Sequence, residues 1–112
     1  MKNKYEVILN ENVKDMDDDE FAEYFEPLRL SNNEFIRLVC LSYYTAFHIA
    51  NLYYKNSDLL DYDLNIILKD VVIGFYGFTT SDIDMDKVEL ILKKRYNLVF
   101  IKKNPIRLKK VK

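Results

Sequence analysis

Seven acidic side chains and no basic one lie in the stretch DMDDDEFAEYFE, residues 15–26. Carboxylates at this density can bind a metal ion, stabilise a helix N-terminus or present negative charge to a partner. The first aspartates have the spacing of a calcium loop, but Glu20 stands where such a loop needs glycine. We therefore predict no metal site. Two alternatives stay open: a helix start capped by Asp17 or Asp18, and a negatively charged binding surface.

One cysteine and one histidine are the other side chains with catalytic potential. Cys40 and His48 could form a nucleophile–base pair, but both lie in the apolar stretch 34–54, where buried or half-buried positions are favoured. Zinc needs about four nitrogen or sulfur ligands, and these two residues are the whole supply. The sequence also lacks a glycine-rich phosphate loop and a Gly-x-Ser-x-Gly motif. We predict a non-enzymatic protein with no cofactor and no small-molecule ligand.

Charge is distributed unevenly along the chain. Residues 1–62 carry six bases and twelve acids, a net charge of −6, and residues 63–112 carry eleven bases and six acids, a net charge of +5. Opposed ends of this kind can orient a charged partner. The last eleven residues, KKNPIRLKKVK, hold six bases and no acid. We interpret residues 103–112 as a frayed basic tail and, because the whole chain is acidic, expect no direct nucleic-acid binding. A small nucleic-acid binder that uses the basic residues of 102–112 stays open as an alternative.

Length and composition predict one globular domain over residues 1–112. Apolar residues make up 49% of the chain, and glycine and proline number two each. No apolar stretch approaches the ~20 residues of a membrane span, and no secretory signal is visible. A single cysteine excludes an internal disulfide. These features predict a cytoplasmic setting with no membrane partner.

Hydrophobic periodicity gives the elements of this domain. A short apolar stripe at helical spacing follows the acidic run: Phe21, Tyr24, Phe25 and Leu28. The pattern of residues 34–54 favours a helix, with Ser31 and Glu34 at capping-box spacing, while the aromatic and β-branched content leaves two strands open. Residues 65–78 predict two strands.

The remainder of the chain predicts one more helix and one more strand. Val88, Ile91 and Leu92 indicate a short helix begun by Asp84 or Asp86, and LVFI at 98–101 indicates a strand that ends before Pro105. The order of elements predicts an α+β fold, a mostly antiparallel β-sheet flanked by short helices.

Several short pieces of the sequence, in order, resemble the staphylococcal-type uracil-DNA glycosylase inhibitors. The pieces are NNEFIRLVCLS at 32–42, YY and SD within 53–58, IGF at 73–75, DMD at 84–86 and RY at 95–96. Members of that family are DNA mimics of about this length, with an acidic segment before a short helix. Their fold is an antiparallel sheet flanked by helices, so the resemblance implies two strands over 34–54.

The resemblance also implies a protein partner and the residues that meet it. Asp17, Asp18, Asp19 and Glu20 would lie in the DNA-binding groove of the glycosylase, where phosphates otherwise bind. Met85, between Asp84 and Asp86, would form the wall of a recess that receives an apolar side chain of the enzyme. The basic C-terminal segment departs from the family pattern.

A different function class remains open. The chain could be an accessory or immunity-type module that binds another protein through its aromatic surface, without DNA mimicry. Secondary structure discriminates between the two, because a fold dominated by helix favours this alternative.

Overall fold

The computed structural model describes residues 17, 19, 20, 23, 26, 27, 30–55, 61–103 and 105–111. The elements, in chain order, are α1 (Glu34–Lys55), α2 (Asp61–Tyr76), a 3-10 turn (Thr80–Asp82), α3 (Met85–Ile91), a π-helical segment (Leu92–Tyr96), β1 (Leu98–Lys103) and β2 (Ile106–Lys110). The apolar stripe predicted at residues 21, 24, 25 and 28 lies outside the described residues.

Helix α1 is the centre of the molecule. Asn33 caps it, since its Oδ1 accepts a hydrogen bond from the Ile36 N–H at 3.2 Å. Ser31, the predicted cap, instead accepts the N–H of Asn33 at 3.0 Å. The helix predicted from the pattern of 34–54 is therefore confirmed, and the two strands implied by the family resemblance are wrong.

Helix α2 replaces the two strands predicted over 65–78. Leu64, Leu68 and Val72 recur every four residues and are all buried, which gives the segment one helical face toward the core. The helix ends at Tyr76, and the following Gly77 has φ of +69° and donates its N–H to the Ile73 carbonyl at 3.1 Å. The β-branched residues of this stretch misled the prediction, because packing decides where propensities are weak.

The C-terminal third is a short helix followed by a hairpin. Val88, Ile91 and Leu92 are buried, as the predicted short helix requires. Strand β1 pairs with β2 in antiparallel fashion, with a bulge between Phe100 and Lys102. The prediction of a frayed tail over 103–112 is wrong for residues 106–110, which form β2.

One hydrophobic core joins these elements. Its buried side chains from α1 are Val39, Cys40, Leu41, Tyr43, Ala46, Ile49 and Ala50, and those from the hairpin are Leu98 and Ile106. Leu98 is fully buried and Ile106 is 2% exposed, so the hairpin covers part of the core. An isolated two-stranded hairpin is at best marginally stable, and burial of these two side chains stabilises it here.

The α+β class is confirmed, although the balance of elements differs from the prediction. Helices account for most of the described chain, and the antiparallel sheet found there has two strands. The radius of gyration is 13.4 Å, close to the ~13 Å expected of a single domain of this length.

Candidate partner-binding site

The described part of the acidic segment begins a helical turn. The Glu20 N–H donates a 2.8 Å hydrogen bond to Asp17 Oδ1, and residues 19 and 20 are helical. This is the N-cap predicted for Asp17, and it places carboxylates at the positive end of the helix dipole. Asp18 lies outside the described residues. Part of the acidic run therefore stabilises its own helix.

The other described acids of this segment point to solvent. Asp17, Asp19, Glu20, Glu23 and Glu26 are all exposed. Residues three or four apart are neighbours on the surface of a helix. Glu23 is four residues from Asp19 and three from both Glu20 and Glu26, so these carboxylates lie at neighbouring positions. The segment can therefore present negative charge to a partner while Asp17 also serves as a cap.

The second predicted acidic site, Asp84–Met85–Asp86, is the beginning of α3. Asp84 is the N-cap: its Oδ1 accepts hydrogen bonds from the N–H groups of Asp86 at 3.0 Å and Lys87 at 3.3 Å. Met85 is half-buried and packs against the hydrophobic core. The predicted role of Met85 as the wall of a recess stays a prediction, since its described contacts are those of a core residue.

Asp86 forms an ion pair with Lys103 of β1. The hydrogen bond from Lys103 lowers the pKa of the Asp86 carboxyl, and the same bond raises the pKa of the Lys103 ammonium. The pair is solvent-exposed, so it contributes little to stability. It does neutralise the Asp86 charge locally, which makes Asp86 a weaker substitute for a phosphate than the exposed Asp19 and Glu20.

The two predicted acidic sites are separate in their described contacts. Asp17 accepts its described side-chain hydrogen bond from Glu20 of the same turn, whereas Asp84 and Asp86 bond to α3 and to the hairpin. The structure therefore gives each acidic site its own local support.

Cys40 and His48 do not form a catalytic pair. Both lie on α1, eight residues apart, which is about 12 Å along a helix axis. Cys40 is 1% exposed, and His48 is half-buried with its ring edge-to-face against Phe47 at 5.5 Å between centroids. Burial lowers the pKa of the His48 imidazole. Their predicted buried and half-buried positions are confirmed.

Metal-ligand clusters and membrane-spanning helices are the two remaining features to consider among the described residues. No group of three or more histidine, cysteine, aspartate or glutamate side chains there is arranged to bind a metal ion. Within the same residues, no helix combines the length and the apolar content that crossing a membrane requires.

The basic residues near the C-terminus lie on an ordered hairpin, whereas the sequence predicts a frayed tail there. Between residues 98 and 110 the chain carries five bases and no acid. Ile106 and Leu108 alternate with Arg107 and Lys109, and such alternation of apolar and polar residues is typical of a half-buried strand. This pattern could have predicted β2 from the sequence. The high charge of this short segment concealed that alternation.

Comparison with protein-family models, with curated proteins and with solved structures found no match to this chain.

Proposed function

We propose that this chain is a non-enzymatic inhibitor that binds a uracil-DNA glycosylase through its acidic surface and blocks access of DNA. The observation that carries the proposal is the exposure of every described acid between residues 17 and 26. Carboxylates presented on successive helical positions are attracted to a basic DNA-binding groove by the same electrostatics that attract phosphates. The enzyme is named as a uracil-DNA glycosylase because several short pieces of this sequence, in the same order, resemble that family of inhibitors.

Under this proposal the acids determine the encounter, and apolar contacts determine how long the complex lasts. Exposed charges add little net affinity by themselves, whereas complementary charge can raise association rates strongly. Asp17, Asp19 and Glu20 would steer the approach. Met85 would contribute an apolar contact at the second site, between Asp84 and Asp86, and affect mainly dissociation. Asp18 belongs to the same acidic surface by sequence.

The proposal rests on residues and charges and not on the fold of the resembling family. Residues 34–55 and 61–76 form helices here, whereas the resemblance implies strands at 34–54. The proposed inhibition depends on the local arrangement of the acids and on a neighbouring apolar contact, and both are compatible with a helical fold.

A uracil-excision assay tests the proposal directly. A glycosylase and a uracil-containing duplex are incubated with increasing amounts of the purified chain, and residual excision is measured at 50 and 200 mM salt. In the double variant Asp19→Lys/Glu20→Lys, association should be slower. About tenfold more protein should then be needed for half inhibition at low salt, and the difference should be smaller at high salt. Neither side chain is the helix cap, so the turn retains Asp17 as its N-cap residue.

A matched control keeps the total charge change the same. Glu34→Lys/Asp70→Lys also replaces two exposed acids by lysines, and it should inhibit like the unaltered chain. Full excision at micromolar concentrations of the unaltered chain would refute the proposal. Equal loss in both double variants would refute the assignment of the site to the acidic segment.

A second candidate function is an accessory or immunity-type module that binds another protein. The predominance of helix in the described chain favours it. So does α2, where Ile66 and Ile73 are seven residues apart on one exposed face, at 40% and 50% exposure. This alternative expects excision to proceed unaffected. It also expects Ile66→Asp/Ile73→Asp, and not Lys69→Gln, to abolish binding to a partner once that partner is found.

A further inference from the structure

The hairpin has two faces, and each face carries exposed cations. Cross-strand partners in an antiparallel pair lie on the same face, and successive residues of a strand alternate between faces. Phe100 pairs with Leu108, and Leu98 pairs with Lys110. Because Leu98 is buried and Leu108 and Phe100 pack against the core, these residues define the inner face.

The inner-face cations are engaged by the protein itself. Lys103, which pairs with the buried Ile106, forms the ion pair with Asp86. Lys110 lies over the ring of Tyr54 at 5.2 Å from its centroid, a cation–π contact with α1. Both lysines therefore connect the hairpin to the helices.

The outer-face cations are directed away from the core. Arg107 and Lys109 alternate with the inner-face residues of β2, and Lys102 pairs directly with Arg107. All three are exposed. The bulge inserts Ile101 next to Lys102, and the inserted residue is what brings Lys102 opposite Arg107 on this face. Ile101 is itself 51% exposed.

Charge and shape together indicate the partner. Arg107 and Lys109 are two residues apart on a strand, about 6.6 Å, so the outer face carries a row of cations with no acidic residue on either strand. A two-stranded β-ribbon fits the major groove of B-form DNA, where flanking phosphates line both walls. We propose that the outer face of the hairpin, Lys102, Arg107 and Lys109, binds the phosphate backbone of duplex DNA without sequence specificity.

This inference is independent of glycosylase inhibition. It concerns free DNA and the opposite charge sign, at the other end of the sequence from the acidic segment. The acidity of the whole chain does not oppose it, because binding depends on local charge and a positive face can act over about a Debye length. Together the two surfaces would make a molecule that binds an enzyme at one place and DNA at another.

Fluorescence anisotropy with a labelled 20-base-pair duplex, and no glycosylase present, tests the inference. Three phosphate contacts predict a slope of about −2.7 for log affinity against log salt concentration, at about −0.9 per contact. Affinity should therefore fall about 40-fold between 50 and 200 mM salt, and the dissociation constant at physiological salt should lie around 10⁻⁴ to 10⁻⁶ M.

Single neutral substitutions then locate the surface. Lys102→Gln and Lys109→Gln should each reduce the magnitude of the slope by about 0.9, because each removes one phosphate contact. Lys69→Gln removes the same charge from an exposed position on α2 and should leave the slope unchanged. Circular dichroism of each variant checks that the fold is retained.

Three results would overturn the inference. One is no binding to the duplex at 50 mM salt. Another is an equal loss of slope in Lys69→Gln, since binding would then follow total charge and not the hairpin face. The last is salt-sensitive self-association in sedimentation experiments, lost in Lys102→Gln/Lys109→Gln and accompanied by no DNA binding. That result would show that the outer face of the hairpin binds the acidic segment of a second copy of the chain. Inhibition of a glycosylase could succeed or fail in each case, so the two proposals are judged separately.

Discussion

Two glycines three residues apart, one inside α2 and one directly after it, should change stability in opposite directions when they are replaced by alanine. Gly74 lies inside the helix, and a Cβ built on it has no atom within 4 Å. Gly77 follows the helix with φ of +69°, a conformation that side chains with a Cβ rarely adopt. Alanine at position 74 therefore stabilises the protein by reducing the conformational entropy of the unfolded chain. Alanine at position 77 instead strains the folded backbone.

The expected magnitudes follow from these two environments. Alanine is favoured over glycine inside a helix by about 0.5–1 kcal/mol, and the lower value applies because Gly74 is near the end of α2. Gly77→Ala should lower the free energy of unfolding by about 1 kcal/mol, since left-handed backbone costs an L-residue about 1–2 kcal/mol. The two variants should differ by roughly 1.5 kcal/mol.

Urea denaturation followed by circular dichroism at 222 nm measures both free energies of unfolding. Thermal unfolding provides a second readout, with a shift of several degrees per kcal/mol for a domain of this size. A fall in stability for Gly74→Ala of more than about 0.5 kcal/mol would refute the helical assignment of this segment.

The remaining predictions concern the core and the hairpin. Ile106→Ala should lower the free energy of unfolding by about 2–4 kcal/mol, because Ile106 is 2% exposed. Lys109→Ala, at an exposed position, should change it by less than about 0.5 kcal/mol. Equal effects of the two variants in urea denaturation would show that residues 106–110 are a frayed tail. Thr45→Val should raise the free energy of unfolding by roughly 1 kcal/mol, because the buried Thr45 Oγ1 has no hydrogen-bond partner in the described structure; a loss of stability would show that the hydroxyl is in fact satisfied. Stability should fall as pH decreases from about 6.5 toward the lowered pKa of His48, since the unfolded state there binds a proton that the native state resists. The chain has one histidine, so His48→Gln should flatten urea-denaturation stability between pH 5.5 and 7, and an unchanged slope would contradict this assignment.

Local chemistry allowed the sequence to predict helix starts. Asp17 and Asp84 were both named as candidate caps, and each accepts backbone N–H groups at the start of a turn. A cap depends on residues two or three positions away, so its geometry can be predicted from a short stretch. The helical pattern of residues 34–54 was also correct, because its apolar stripe spans several turns.

Contacts between distant residues were beyond the sequence. The pairing of Asp86 with Lys103 joins positions 17 apart, and no local pattern indicates it. The same holds for Lys110 over Tyr54, which requires the hairpin to pack on α1. Short apolar runs such as residues 65–78 are also ambiguous between strand and helix, and tertiary packing decided that segment.

The middle of α1 has a consequence for how the protein tolerates sequence change. Residues 39–43 are five consecutive buried positions, and at 100° per residue they cover the whole circumference of the helix. A saturation mutagenesis survey should therefore find an unbroken block of intolerant positions there, without the three-to-four-residue rhythm that surface helices show. Tolerated substitutions within α1 would then lie at its ends, while its centre would accept only swaps that conserve volume.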